Sequence, residues 1–277
     1  MSIGKIKSPL RYPGGKSKAA EYISGFIPNF KEFREPFFGG GSLSFYLIQR
    51  NPDAEYYAND INEDLYHFWS ELKNSKDEII EQIINIKNTY KNGKELYRDI
   101  INRKNENAPF KQRAVDFFIL NRITFSGTAD SGGYSEQSFL KRFTNSSIER
   151  LNQSQEIIKK INFSNEDYSR LITKPGKEIF IYLDPPYYSN TDSKLYGKNG
   201  NLHKKFDHIK FFETVKNCRH KFLITYDDND FIKTLWKNFN IIEWQLQYGM
   251  NNYQKSACKK GSELIITNFT PKKEKNK

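Results

Sequence analysis

The chain of 277 residues has little of what most readily identifies a protein's chemistry. It has two cysteines, Cys218 and Cys258, in neither a CxxC nor any other ligand spacing. A disulfide framework is therefore excluded, and reduced thiols are expected. Its four histidines, His67, His203, His208 and His220, form no HxH or HxxxH pair, so no metal site is read. There is no long uncharged apolar run, and the mean hydropathy of −0.78 argues against a membrane span. Met1-Ser2-Ile3-Gly4-Lys5 offers no apolar signal segment, so a cytoplasmic protein with no membrane partner is expected. Internal repeats and low-complexity blocks are missing too. Gly15-Lys16-Ser17 lacks the first glycine of a P-loop, since Leu10 stands in its place, and no apolar strand precedes it. Ser256-Ala257-Cys258-Lys259 has the SxxK spacing of a serine acyl-enzyme but none of the companion motifs.

What the chain does have is positive charge, aromatic rings and two concentrated motifs. The net charge is +11 and the pI about 9.3. Basic residues gather at Lys91, Lys94, Arg98, Arg103, Lys104, Lys111 and Arg113, and again at Lys141-Arg142, Lys204-Lys205 and Lys259-Lys260. Clusters of this kind favour a polyanionic partner over charge that merely keeps a protein soluble. Hydrophobic residues at 37% and aromatics at 15% suffice for a packed core.

Periodicity predicts strands over Phe33–Phe38, Glu55–Asn59, Glu178–Leu183, Lys221–Tyr226, Ile241–Tyr248 and Glu263–Phe269. Helices are expected over Ser42–Gln49, Asn62–Tyr90, Phe110–Ile123, Ser147–Lys160 and Phe231–Lys237. Thr124–Phe143 is polar, glycine-rich and aromatic, which suits a hairpin or mobile loop. Strand–helix alternation at both ends, broken by a helical middle, predicts an α/β sheet interrupted by a mostly helical insert of roughly a hundred residues, the size of a small domain.

Asp184-Pro185-Pro186-Tyr187 closes the apolar strand at 178–183, at the sheet rim where α/β proteins bind ligands. Proline lacks an N–H, so the Pro185 carbonyl is a stiff acceptor. It and Asp184 can each take one hydrogen of a planar amino group while Tyr187 stacks on the ring that carries it. That is a grip for the exocyclic amine of a nucleobase; the plainer alternative is a strand-ending turn with a buried acid. Glu35-Pro36-Phe37-Phe38-Gly39-Gly40-Gly41-Ser42 likewise ends a strand and opens a helix. Asp60 stands 21 residues beyond Gly39, where a carboxylate can take two ribose hydroxyls. A dinucleotide fold is one reading, but the third glycine of GxGxxG falls at Ser44. An adenosine ligand without a pyrophosphate, such as S-adenosylmethionine, needs less of that helix end. Tyr12 and Lys16, in Arg11-Tyr12-Pro13-Gly14-Gly15-Lys16, can reach an adenosyl or carboxylate group across a tight turn.

Taken in order, these elements resemble the Dam-type (alpha-group) family of adenine-N6-specific DNA methyltransferases. The likeness covers most of the chain and extends to Asn59-Asp60-Ile61-Asn62, Arg113-Ala114-Val115, Leu120-Asn121-Arg122 and Gly261-Ser262-Glu263-Leu264. It implies a Rossmann-like α/β sheet that binds S-adenosylmethionine, with an inserted DNA-recognition domain: catalytic domain over residues 1–62 and 161–277, insert over 63–160. It implies catalysis by Asp184, Pro185, Pro186 and Tyr187. The cofactor would be held by Tyr12, Lys16, Phe37, Gly39, Gly41 and Asp60, with Asp167 on its adenine ring and Asp184 bordering it. Double-stranded DNA would be contacted by Arg11, Arg122, Phe125, Ser126, Gly127, Thr128, Asp130, Lys141 and Arg142. Members that read GATC carry Arg where this chain has Asp130 and Asn where it has Ser126, so GATC is not implied; an acid can instead accept from a cytosine amine. A monomer of bacterial or phage origin is expected, with any cognate restriction endonuclease acting separately. The residues alone leave two alternatives: an RNA or protein amine methyltransferase, or a DNA-binding relative without turnover. The 145 residues between Gly39 and Asp184 favour a reader of duplex DNA.

Overall fold

The computed structural model describes residues 6–12, 14–103, 108–129, 131–188, 206–246 and 261–271. Lys104, Asp130, His203, Lys204-Lys205, Cys258 and Lys259-Lys260, singled out above, lie outside them. Seven strands form one sheet: β1 (Glu32–Glu35), β2 (Glu55–Asn59), β3 (Ile161–Ser164), β4 (Ile179–Leu183), β5 (Lys221–Asp227), β6 (Asn240–Leu246) and β7 (Gly261–Thr267). Their order is β3-β2-β1-β4-β5-β7-β6. The first five are parallel, while β7 runs antiparallel between β5 and β6.

A parallel strand covered on both faces should be apolar throughout, and all five residues of β4 are buried. Alternate side chains feed opposite layers. Phe180, Tyr182, Leu223 and Ile265 join one core. Ile179, Ile181, Leu183, Phe222, Ile224 and Ile266 join the other, with Phe211, Val215 and Trp236 from the covering helices. The chain leaves β1 for β2 and β3 on one side and returns to β4 on the other, so the crevice of the sheet opens at the C-terminal ends of β1 and β4.

Among the described residues the helices are α1 (Ala20–Ser24), α2 (Ser42–Ile48), α3 (Glu63–Asn74), α4 (Lys76–Thr89), α5 (Gly93–Arg103), α6 (Phe110–Ile123), α7 (Glu136–Arg142), α8 (Asn145–Gln153), α9 (Gln155–Ile158), α10 (Tyr168–Thr173), α11 (His208–Lys216) and α12 (Asp230–Leu235). Helices α3 to α9 lie between β2 and β3, and their buried residues run without a break into one face of the sheet. Among the described residues no helix is long and apolar enough to cross a membrane.

Several expected elements change form. The helix expected over Asn62–Tyr90 breaks at Ser75, whose backbone (φ −135°, ψ 35°) is not helical. That over Ser147–Lys160 divides at Ser154. The 124–143 stretch is closed like a hairpin by a single bridge, Thr124 to Tyr134. It then turns into α7, because the Ser135 side chain caps the Ser138 N–H. Helices α5 and α11 were not read from periodicity. They are short, and each is started by a side-chain cap: Asn92 accepts from Lys94 and Glu95, and Asp207 from Ile209 and Lys210.

Candidate active site

The loop after β1 turns tightly, with the Gly41 N–H donating to the Phe38 carbonyl at 2.7 Å. Gly39 and Gly41 have φ of +49° and +63°, a region that costs other residues about 1–2 kcal/mol. A Cβ on Gly39 would stand 2.7 Å from the Tyr12 ring, and one on Gly41 2.3 Å from the Phe38 ring. Glycine here lets Tyr12 lie flat on the loop. The tight turn expected at Tyr12 is present, with the Gly15 N–H donating to the Tyr12 carbonyl at 3.0 Å. Asp60, at the end of β2, braces the loop: one carboxylate oxygen accepts from Gly39 N at 2.8 Å and the other from Asn62 N at 3.0 Å. From behind, the buried Trp69 indole on α3 donates to the Gly39 carbonyl at 3.0 Å.

A cavity of about 420 Å³ opens against this loop, within the range of small-molecule sites. It is lined by Tyr12, Lys16, Phe37, Gly39, Gly41, Asp60, Asp167, Asp184, Pro185, Pro186 and Tyr187, so the structure brings the catalytic and cofactor candidates to one place. At one end Phe37, Tyr168 and Phe206 form an aromatic group with centroids 5.3 to 5.9 Å apart. Beside them Asp167 starts α10, accepting from Ser169 N at 2.9 Å. Partial burial pushes its carboxyl up, but the Ser169 bond and the charges of Lys210 and Arg170 outweigh that, and its pKa lies below the ordinary value. An ionised carboxylate beside flat apolar rings can hold a purine by its amine. The two acids and the aromatic faces thus fit an adenosyl group.

At the other end, Asp184 leaves β4 with its carboxylate held on two sides. Lys16 Nζ lies 3.0 and 3.1 Å from its two oxygens. Thr225 on β5 donates to Oδ1 at 2.7 Å. The Thr225 hydroxyl has one hydrogen and spends it there, so the Tyr182 hydroxyl, 2.9 Å away, must donate to Thr225. Lys16 is buried, bonds the Gly14 carbonyl at 3.2 Å and stands 4.8 Å from the Tyr187 ring centroid. Tyr187 is anchored by its hydroxyl, which donates to Glu263 on β7 at 2.9 Å. The next residue, Tyr188, bonds Asp227 through its backbone N–H at 2.9 Å.

Two carboxyls given no role by the sequence are buried beside the site. Glu35, the last residue of β1, is 3% exposed and accepts from the Ser44 hydroxyl. Burial, reinforced by the nearby charges of Asp184 and Asp60, pushes its pKa up to about 8. Glu263 is 1% exposed; burial raises it to about 7 against the pull of Lys16. Both stand inside motifs that the sequence exposes, but their solvent exclusion is a tertiary property. Thr225 gives no sequence signal, since a lone threonine in a strand is ordinary.

The basic and aromatic candidates lie on a second surface. Phe125–Gly127 is one 3₁₀ turn, with Phe125 61% exposed and Ser126 at φ +54°, a strained position for serine. Thr128 is buried and donates to the Phe125 carbonyl at 2.8 Å. The buried Asn121 side chain holds this turn to the N-terminal segment: it accepts from Arg11 N at 3.0 Å and donates to the carbonyls of Arg11 (2.7 Å) and Gly127 (2.9 Å). Lys141 and Arg142 are exposed at the end of α7. Arg122, by contrast, is 2% exposed and lies over the Phe118 ring, and its Nε and Nη2 have no partner among the described residues. Burial lowers its pKa to about 9, with Arg150, Arg11 and Arg142 adding repulsion. Four arginines thus converge behind the exposed Phe125 turn.

The family of D12 class N6 adenine-specific DNA methyltransferases matches residues 12–250. The type II methyltransferase M.MjaIII of Methanocaldococcus jannaschii is 26% identical over 291 residues, covering 96% of this chain and 100% of that one. The type II methyltransferase M1.LlaDCHI of Lactococcus lactis subsp. cremoris is 24% identical over 282 residues, covering 94% of each. The DNA adenine methylase of Vibrio cholerae is 29% identical over 189 residues, covering 66% of each.

Proposed function

The chain belongs to the D12 class of N6 adenine-specific DNA methyltransferases, and from that premise we propose how its own residues perform the reaction. It is an enzyme that methylates N6 of adenine in DNA at specific sites. When bound, S-adenosylmethionine supplies an electrophilic methyl group on a sulfonium that is already a good leaving group. Tyr12, Phe37, Gly39, Gly41, Asp60 and Asp167 are proposed to hold it. The observation carrying this reading is that Asp184 and Tyr187 share one cavity with the glycine loop, Asp60 and Asp167.

A base inside a duplex cannot reach that cavity, so the target adenine must be turned out of the stack. Phe125, exposed on a strained turn, is suited to fill the gap, and Lys141 and Arg142, exposed at the end of α7, with the partly exposed Arg11, are suited to the phosphates, while Arg122 is too buried to touch them directly. Tyr187 would return roughly 1–3 kcal/mol of stacking to the extruded base. Adenine's amino lone pair is delocalised into its ring. Hydrogen bonds from the amine to Asp184 and the Pro185 carbonyl localise it toward the methyl group. Thr225, itself bonded by Tyr182, keeps Asp184 aimed. The main contribution is alignment.

We also propose that residues 1–62 and 161–277 act as the catalytic unit and 63–160 as the reader. The chain would work as a cytoplasmic monomer on double-stranded DNA, with any restriction endonuclease a separate protein; a dimer by light scattering would overturn the monomer. The test of the site is Asp184→Ala. Methylation in a methylation-free host, mapped by single-molecule sequencing, should vanish, while calorimetry still detects cofactor binding. Turnover at the parent's rate would refute the assignment.

A further inference from the structure

The carboxyl of Glu263 lies at the back of the base pocket and has no part in the reading above. It projects from β7, where it is paired with Asp227 on one side and Trp244 on the other. One oxygen, Oε1, accepts from the Tyr187 hydroxyl at 2.9 Å and lies 3.9 Å from Lys16 Nζ. The other, Oε2, is buried with no hydrogen-bond partner among the described residues. A buried carboxyl with an idle oxygen is costly to keep unless something comes to it. Lys16 is the cation within reach. It is now seated on Asp184, against the oxygens that a target amine must use.

We propose that Glu263 is a positioning residue of the base pocket, anchoring the Tyr187 ring and receiving the Lys16 ammonium when an adenine amine takes its place on Asp184. The inference rests on the roles proposed for Asp184 and Tyr187. A displacement of about an ångström brings Nζ from 3.9 Å into hydrogen-bond range of Glu263. The ammonium then stays paired throughout, and Asp184 gains a free acceptor without a buried cation being stranded. The groups facing Glu263 are Lys16 from the N-terminal segment, Asp184 and Tyr187 after β4, and Asp227 at the end of β5. The carboxyl must be ionised to receive the ammonium. Because its pKa is raised to about 7, this arrangement gains strength as pH rises through neutrality.

The experiment compares the parent with Glu263→Gln, Tyr187→Phe and Asp184→Ala on a duplex carrying the enzyme's mapped site, between pH 6 and 8.5. Glutamine keeps an oxygen for the Tyr187 hydroxyl but cannot hold a charge. E263Q should lower kcat about 10- to 100-fold, the loss expected for a hydrogen bond to a charged group. It should abolish the rise in kcat near pH 7 and leave the calorimetric affinity for S-adenosylmethionine unchanged. Y187F loses the anchor and, because the Tyr187 hydroxyl helps to lower the Glu263 pKa, should keep the rise but move it to higher pH. If E263Q does not fold, Lys16→Met carries the test, because with no ammonium to receive, the rise in kcat near pH 7 should disappear. An E263Q enzyme with parental kcat and pH profile, or a K16M enzyme that keeps the rise, overturns the proposal. Undiminished turnover in D184A would instead overturn the underlying reading.

Discussion

Replacing Glu35 by glutamine should make the protein more stable than its parent, increasingly so as the solution becomes more alkaline. Glu35 has its pKa raised from 4.5 to about 8, chiefly by burial. Below pH 4.5 the folded and unfolded chains both hold the proton. Between 4.5 and 8 only the folded chain holds it, so folding takes up a proton and stability falls with rising pH. Above about 8 both forms are ionised and the loss is complete. At about 1.4 kcal/mol per pKa unit the swing has a ceiling on the order of 5 kcal/mol, and relaxation around a buried charge reduces it to a few. Glutamine has the same shape, can accept from the Ser44 hydroxyl and does not titrate. Urea unfolding of parent and Glu35→Gln at pH 5, 6, 7 and 8 should give similar stabilities at pH 5 and a gap of a few kcal/mol in favour of the variant at pH 8. Glu263, His67 and His208 also have shifted pKa values, but they are common to both proteins and drop out of the difference. A gap that does not change with pH would refute the reasoning.

Other substitutions probe other parts. Asn121→Ala removes three hydrogen bonds, one buried and two part-buried, and should cost about 2–4 kcal/mol in denaturant unfolding, with weakened DNA binding. Gly41→Ala forces a Cβ against Phe38 at positive φ and should cost at least ~1–2 kcal/mol. Cofactor affinity, read by calorimetry, should fall with it; an unchanged affinity would mean that the loop is not part of the cofactor site. Arg122→Met should stabilise the free protein by about 1–3 kcal/mol, since a buried guanidinium whose Nε and Nη2 have no partner among the described residues is replaced by an apolar chain. The exposed Arg142, replaced by Met, should instead weaken DNA binding and lower its salt slope by about one; no change in the slope would remove Arg142 from the phosphate contacts.

Much of the site was legible because its residues are adjacent in sequence. The Asp184–Tyr187 tetrapeptide and the Phe37–Gly41 loop each end a strand that apolar pattern already marks, and parallel strands deliver such ends to one rim. The partners that hold them were not legible. Lys16 reaches Asp184 across 168 positions, and Glu263 meets Tyr187 across 76. No local pattern encodes such pairings. Burial hid other roles as well: Arg122 reads as one more basic residue, and only packing shows it enclosed over Phe118. Among the helices, the long amphipathic stripe of α3 was visible, whereas α5 and α11 each bury only one apolar pair four residues apart, Leu96 with Ile100 and Phe211 with Val215, too short a pattern to stand out.

The Asn121 amide makes the two surfaces of the molecule into one lever. On one side it grips the Gly127 carbonyl, the foot of the turn that presents Phe125; on the other it grips both backbone groups of Arg11, whose neighbour Tyr12 lies on the Gly39 backbone. On the roles proposed above for the Phe125 turn and the cavity, a push by the duplex on the turn would pass, through one side chain and one peptide, to the floor of the cavity. Linkage then requires that DNA change the affinity for S-adenosylmethionine by the same factor that S-adenosylmethionine changes the affinity for DNA. In the Asn121→Ala variant the lever is cut, and the two titrations should become independent of one another.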